Sequence, residues 1–553
     1  MNPPNQYPGL YQQFRWLVPA RFSISNACCE RWAGNSADAR RIALFLDAGA
    51  AGREIWTFER LQETTNRLAH ALRRMGVRPG DRLAVILPPR GEFLAGLFAA
   101  WTVGAICVPL PPGLDPYTLE RCLRDSAARV VLVDADSHAK LLPGLHRCTA
   151  LQQIIGLDVS DERVVPWRGL LARQPAAAPV PPDAAPDIAL LFYDTLPGSP
   201  PRGLTHAHAA LIGALPGFVA SHDWFPQQSG SYWVGLEWAS AAGLLGGVLP
   251  CLYFGRPLVA SRGLPMAEAG HRLLRQHGVS HALVSPWLLQ QLRRHPEAAR
   301  TGAPPLLRQL ASTGQRLTPG LSHWVQKQWG VTLNDRYGTA EAPIVAGHSA
   351  SRWPSPAGSL GLPYPGHRMA ILDSHGQPLP AGRIGDIAIA YTDIHQDPDP
   401  ALWRGAWPGL DGQDDAWWRT GDLGHLDAEG HFWLHGQAAH LLPVGGEVVD
   451  PEILEAAMLE HPEVLDAGVV ALGDGPDHQR FKAWIVAPGT DDPRTLQPAL
   501  EALRQAMWPP AAASVPWVIE LTDHLPRQPS GRLQRAALRS RDRSRRRRSR
   551  KAA

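Results

Sequence analysis

Between residues 53 and 135 the chain alternates helix-period and strand-like segments, and this alternation limits the fold more than any other feature. Thr57–Met75 (TFERLQETTNRLAHALRRM) carries Leu61, Leu68, Ala69 and Leu72 at helical spacing, with Thr57 placed to cap it. Arg82–Leu87 is a short apolar run, Phe93–Val103 an apolar helix and Ala105–Leu110 a second strand. Leu119–Ala127 then reads as a helix and Val130–Val133 as a strand. Repeated strand–helix–strand units imply a parallel sheet covered on both faces. A Pro/Ala-rich link, Gln174–Pro186, precedes the strand Ile188–Tyr193, and a second unit of this type runs to about residue 350. The fold class is α/β.

The pattern then changes. Gly358–Ala390 and Asp427–Leu434 read as short strands with Gly/Pro turns, a β-rich subdomain over about 355–435. After Gly436 a compact α+β unit is expected: helix Pro451–Leu459, strands Ala467–Leu472 and Phe481–Val486, and helix Leu496–Met507. The boundaries predicted are 1–435 for a large domain, 436–538 for a small one and 539–553 for a basic tail. Arg539–Lys551 carries nine positive residues and one Asp, a net of +8 against +3 for the whole chain, so the rest is about −5. Such a block repels itself and is expected to be disordered; nucleic acid or an anionic surface would be met only through it. Trp238–Gly255 is uncharged but broken by Gly246, Gly247 and Pro250, so a buried strand and helix pair is expected there rather than a membrane span. The six Cys show no CxxC spacing, which disfavours zinc and fits buried, reduced thiols. With no apolar h-region at the N-terminus, the expected location is cytoplasmic.

Trp417–Glu455 reads WWRTGDLGHLDAEGHFWLHGQAAHLLPVGGEVVDPEILE, joining Arg419-Thr420-Gly421-Asp422 to a Gly-Gly turn and a Pro-Glu helix start. Gly80-Asp81-Arg82-Leu83-Ala84, Gly255-Arg256-Pro257, Asp335-Arg336-Tyr337-Gly338-Thr339-Ala340-Glu341 and Ser530-Gly531-Arg532 stand in the same chain order. This ordered set resembles the adenylate-forming (AMP-binding) acyl-CoA synthetases over about residues 10–540. Phe14-Arg15-Trp16 and Asp399–Leu402 look most like the acetyl-CoA and medium-chain branches.

The resemblance implies a large AMP-binding domain, a small mobile C-terminal domain, ATP and Mg2+, and coenzyme A as co-substrate. It places Thr195, Ser199 and Arg202 on the triphosphate, Asp422 on ribose, and Glu341 on Mg2+. Gly314, Gln315, Asp335, Tyr337, Thr339 and Gln437 complete the ATP/AMP site. Arg532 aligns with the catalytic Lys, Ala439 with the hinge, and Gly445 and Gly446 with the CoA-side turn. Trp238, Gly243, Gly314 and Gly338 fall on the acyl pocket, where Gly338 replaces a plugging Trp and favours medium-chain or aromatic acids over acetate.

The motifs also depart from the family. Pro197 and Pro200 remove N–H donors from the phosphate loop, and Asp194 adds a negative charge beside it. Ala340 lacks a Thr hydroxyl, and Gln437 and Ala439 stand where the family has Arg and Asp. Arg532 keeps a positive charge but is planar and wider than an ammonium. Two functions follow: an ATP-dependent acyl-CoA ligase, or a catalytically impaired relative that binds nucleotide, acyl-adenylate or a protein partner.

Overall fold

A computed structural model of the chain describes all residues except 1–4, 50–51, 183–186, 196–199, 228–229, 263–265, 296–301, 403–415, 445–446, 473–479, 491, 528–531 and 543–553, and every count below refers to the described residues. Pro197, Ser199, Gly445, Gly446 and most of the basic tail therefore lie outside them.

The first unit builds a seven-stranded sheet in which Arg82–Ile86 pairs in parallel with both Ile106–Pro109 and Val130–Asp134. Successive side chains of a strand point to opposite faces. Leu83 and Val85 accordingly enter one apolar cluster, while Ala84 and Ile86 enter another. That two-sided burial is why the strand is apolar at every position after Arg82. Helix Phe58–Arg74 begins where expected: the Thr57 side chain accepts from the Arg60 N–H at 3.1 Å. Together with helix Gly91–Thr102 it packs into the larger cluster, which also takes in Leu44 and Leu46 of the nine-stranded second sheet. Fully burying each such Leu or Phe is worth about 1.5–3 kcal/mol.

Trp238–Gly255 departs from the expected strand and helix pair. It runs as short helical segments, 241–243 and 249–253, joined by a π-type turn over Leu244–Val248. The strands flank it instead, at Ser231–Gly235 and Leu258–Ser261. Gly247 makes this possible, since a Cβ there would lie 2.9 Å from Val234.

A four-stranded antiparallel sheet spans Met369–Leu372, Gly385–Ala390, Trp417–Leu426 and Phe432–Gln437. The N-terminal segment is fastened beside it, with Tyr11 Oη donating to the His367 carbonyl at 2.8 Å and Trp16 Nε1 to the Gly366 carbonyl at 3.1 Å. The His367 ring, fully buried, faces Asp399 Oδ2 at 2.6 Å and the Gly213 carbonyl at 3.1 Å. The Asp399 motif thus serves packing.

The smaller C-terminal domain has its own core around Leu454, Val469, Phe481 and Leu500, and a sheet of Asp466–Leu472, Arg480–Val486 and Trp517–Leu521. A helix over 535–542 carries this domain into the segment expected to be tail, because Asp542 accepts from Lys482 Nζ at 2.8 Å. All six cysteines are buried and free: Cys28, Cys29, Cys107 and Cys251 in or against the largest cluster, Cys122 and Cys148 in a second cluster of the large domain. No helix among the described residues is long and apolar enough to cross a membrane.

Candidate functional site

Tyr337 ends the strand Thr332–Tyr337 of the nine-stranded sheet, and Asp422 lies on strand Trp417–Leu426 of the four-stranded sheet. Their side chains meet in the interior, with Tyr337 Oη donating to Asp422 Oδ2 at 2.8 Å. The Thr420 hydroxyl accepts from the Asp422 N–H at 3.2 Å and donates to the Ile387 carbonyl at 2.9 Å, which fixes the Thr-Gly-Asp turn. Gly421 has φ +80°, a conformation that favours glycine. Burial pushes the Asp422 carboxyl up, and the Arg532 guanidinium and the Tyr337 hydroxyl oppose it. Arg532, from the small domain, therefore sits within electrostatic reach of this pair.

Gln437 is the ladder partner of Asp422 at the end of strand Phe432–Gln437. The chain turns immediately afterwards: the Ala438 N–H donates to the Gly421 carbonyl at 2.9 Å and the His440 N–H to the Gln437 carbonyl at 2.8 Å. Ala439 is exposed in this turn, at the junction between the four-stranded sheet and the small domain. His440, next in sequence, is pushed down to about 4 by burial and by the Arg535 and Arg532 charges, so it is neutral at pH 7.

The strands Ile188–Asp194 and Arg202–Ala207, which flank the loop expected to hold phosphate, pair antiparallel. Arg202 forms an ion pair with Glu341, half-exposed on the arginine side. Thr339 caps a tight turn, its N–H on the Ala342 carbonyl and its hydroxyl accepting from the Ala342 N–H at 3.2 Å. His206, missed in the sequence, lies under this turn, with Nε2 2.9 Å from the Ala340 carbonyl. Burial pushes its imidazole down to about 4, so the neutral ring donates that bond. A polar residue on the second strand of the hairpin is the only signal that could have found it.

Asp335 is buried, and burial pushes its carboxyl up to about 8. Its Oδ1 has no hydrogen-bond partner within the protein. Gly314 has φ +92°, and Gln315 beside it accepts the Trp287 N–H at 3.0 Å. Gln315 Oε1 thus serves a helix start. Arg316 donates to Asp450 Oδ2 and to the Leu434 carbonyl, both at 2.9 Å, linking the Gly314–Arg316 segment to the small domain.

Two acyl-pocket assignments acquire another explanation. A Cβ at Gly338 would lie 2.2 Å from the Pro343 carbonyl oxygen, and one at Gly243 would lie 2.1 Å from that of Glu237. Backbone approach is by itself a sufficient reason for glycine at both positions. Trp238 is buried, with its ring edge-on to Phe93 at 6.0 Å.

Glu341 offers hard carboxylate oxygens of the kind that would hold Mg2+, and in this structure Arg202 engages them.

The model of the family "AMP-binding enzyme" matches residues 29–394. The acetyl-coenzyme A synthetase of Bacillus subtilis (strain 168) is 25% identical over 501 residues, 88% of this chain and 85% of that protein. The fatty acid–[acyl-carrier-protein] ligase ScoC of Streptomyces coeruleorubidus is 28% identical over 509 residues, 88% of this chain and 91% of that one. Among solved structures, the anthranilate CoA ligase AuaEII in complex with anthranoyl-AMP superposes with a TM-score of 0.82 at 22% identity, covering 95% of this chain and 98% of that one.

Proposed function

We propose that this chain, which belongs to the AMP-binding enzyme family, is an ATP-dependent acyl-CoA ligase. A carboxylate oxygen attacks the α-phosphorus of ATP, the bond to pyrophosphate breaks, and acyl-adenylate forms. The sulfur of coenzyme A then attacks the acyl carbon, AMP leaves with the bonding pair, and the thiol proton passes to solvent.

The observation that carries this reading is the buried Tyr337–Asp422 hydrogen bond between two sheets, with the Arg532 charge of the small domain acting on it. Asp422 would accept the ribose hydroxyl protons, leaving Tyr337 to fix the carboxylate. Arg532 would place its charge where negative charge develops between carboxylate and α-phosphate. Thr195, Ser199 and Arg202 would hold phosphate oxygens, and Asp335, Gly314 and Gln315 would bound the adenine. Glu341 would hold Mg2+, which supplies charge neutralisation of the leaving pyrophosphate. Ala439 would serve as the hinge, since such a position needs only permissive backbone dihedrals. Gly445 and Gly446 would face coenzyme A.

The test is acid-dependent pyrophosphate release, with Arg532→Lys alongside. The panel spans acetate, medium-chain acids and benzoates. Release with any acid supports the ligase. A large gain in Arg532→Lys would show that the rest of the site is assembled.

One observation favours the second reading, a nucleotide binder with impaired turnover. Arg202 and Glu341, proposed for phosphate and Mg2+, already hold each other. ATP binding by calorimetry without pyrophosphate release in either protein would select it.

A further inference from the structure

Helix Pro286–Arg294 (PWLLQQLRR) divides its side chains between two neighbours. Leu288, Leu289 and Leu292 enter the core of the large domain. The opposite face carries Gln290, Gln291, Arg293 and Arg294, a composition that reads as solvated surface. It is instead an interface. Gln290, only 4% exposed, donates from Nε2 to the Leu459 carbonyl at 2.7 Å, and Gln291 to the Leu465 carbonyl at 3.3 Å. Arg293 pairs with Glu460 at 3.0 Å. Arg294 spreads its fork over three carbonyls: Leu459 at 2.5 Å, His461 at 3.1 Å and Val464.

These carbonyls lie just past the end of helix Pro451–Met458, where the last carbonyls of a helix lack internal partners. The Arg294 guanidinium satisfies the Leu459 carbonyl at the helix C-cap together with two carbonyls of the segment that follows, and complements the negative end of the helix dipole. The planar fork reaches the three acceptors from two nitrogens at fixed separation.

The grip leads towards the proposed site in few steps. Asp466 follows the gripped segment and pairs with Arg527, Nε to Oδ2 at 3.0 Å. Trp287, on the same large-domain helix, lies under the Arg527 guanidinium at 5.5 Å. Arg527 in turn forms an antiparallel bridge with Leu533, whose neighbour is Arg532. We propose that Pro286–Arg294 is the docking helix of the small domain, and that Arg294 is the positioning residue that keeps Arg532 beside Tyr337 and Asp422. The domain contact stands independently of the ligase reading; its effect on turnover rests on that reading.

The experiment uses the full chain with spin labels at Gln326→Cys, on the large-domain helix Pro319–Trp329, and Ala502→Cys, on the small-domain helix Gln497–Met507. All six native cysteines are buried, so the introduced pair is the one labelled. Double electron–electron resonance should give, in the parent, a well-defined peak at the docked separation, to which a swung domain adds at most a second. Arg294→Ala, Arg293→Glu and Glu460→Arg should each broaden the docked peak, and Arg293→Glu with Glu460→Arg should restore it. A parent-like distribution in Arg294→Ala, or no restoration in the charge-swapped pair, overturns the docking role. The swap keeps the test decisive if Arg294→Ala does not fold. In pyrophosphate release, Arg294→Ala should lose about 10- to 100-fold, and the double variant with Arg532→Ala should be no worse than Arg532→Ala alone. Additive losses would overturn positioning through Arg532. A chain that releases no pyrophosphate removes the ligase reading, while the distance measurement still decides the docking.

Discussion

The two halves of the proposed nucleotide site are prepared in opposite ways. At the ribose half, Tyr337 and Asp422 are buried, hydrogen-bonded to each other and locked by the Thr420 turn. At the phosphate half, Arg202 and Glu341 neutralise each other across a more exposed gap. The first half presents an acceptor whose ionised form is disfavoured by burial, so a ligand that donates hydrogen bonds relieves it. The second must give up an ion pair before it can take phosphate and metal. Affinity should therefore come from the ribose half, while the phosphate half decides how readily the triphosphate settles.

The largest effect expected is at the ribose half. Asp422→Ala should weaken ATP binding by about 100-fold or more, since it leaves the sugar hydroxyls without an ionised acceptor; calorimetry that finds unchanged affinity would break the contrast. Arg532→Ala should lower pyrophosphate release by about 100-fold with little change in ATP affinity, because its charge acts on the transition state. Steady-state kinetics in which only KM moves would place Arg532 on substrate binding instead.

Asp335 gives a pH signature. Its folded-state carboxyl is raised from 3.8 to about 8, so the bound proton stabilises the fold fully below about pH 4. That contribution is lost as pH rises towards about 8. Asp335→Asn should abolish the slope and exceed the parent in stability at pH 8 by about a few kcal/mol. Denaturant melts at pH 5 and pH 8 compare the two, and parallel slopes would refute the assignment.

The smallest stability effect is expected at the phosphate half. Glu341→Gln should change folding stability by less than about 1 kcal/mol, as exposed ion pairs do, yet raise the Mg2+ concentration needed for ATP binding. A Mg2+ titration that superposes on the parent's would remove Glu341 from the metal site.

Much of the scaffold was legible from the residues. The apolar runs at 82–86, 106–109 and 130–134 could be strands because two-sided burial leaves no polar alternation, and Thr57 announced its helix. Trp238–Gly255 misled, because its glycines look like breakers yet permit close helix packing. Motif order found the neighbourhood of Tyr337, Asp422 and Arg532. It did not find His206, Gln290 or Arg294, since residues that bind a backbone carbonyl leave no spacing pattern: the partner has no side-chain identity. Gly243 and Gly338 carry a second constraint that spacing does not reveal, since each also makes room for a backbone carbonyl.

The placement of the six cysteines has a practical consequence. Every thiol is buried in the large domain, and among the described residues the small domain contains none. An alkylating reagent is therefore a stopwatch for opening of the large domain alone. Detachment of the small domain would pass unrecorded by it, so unmodified protein in a pulse of reagent certifies an intact nucleotide-domain core, whatever the other domain is doing.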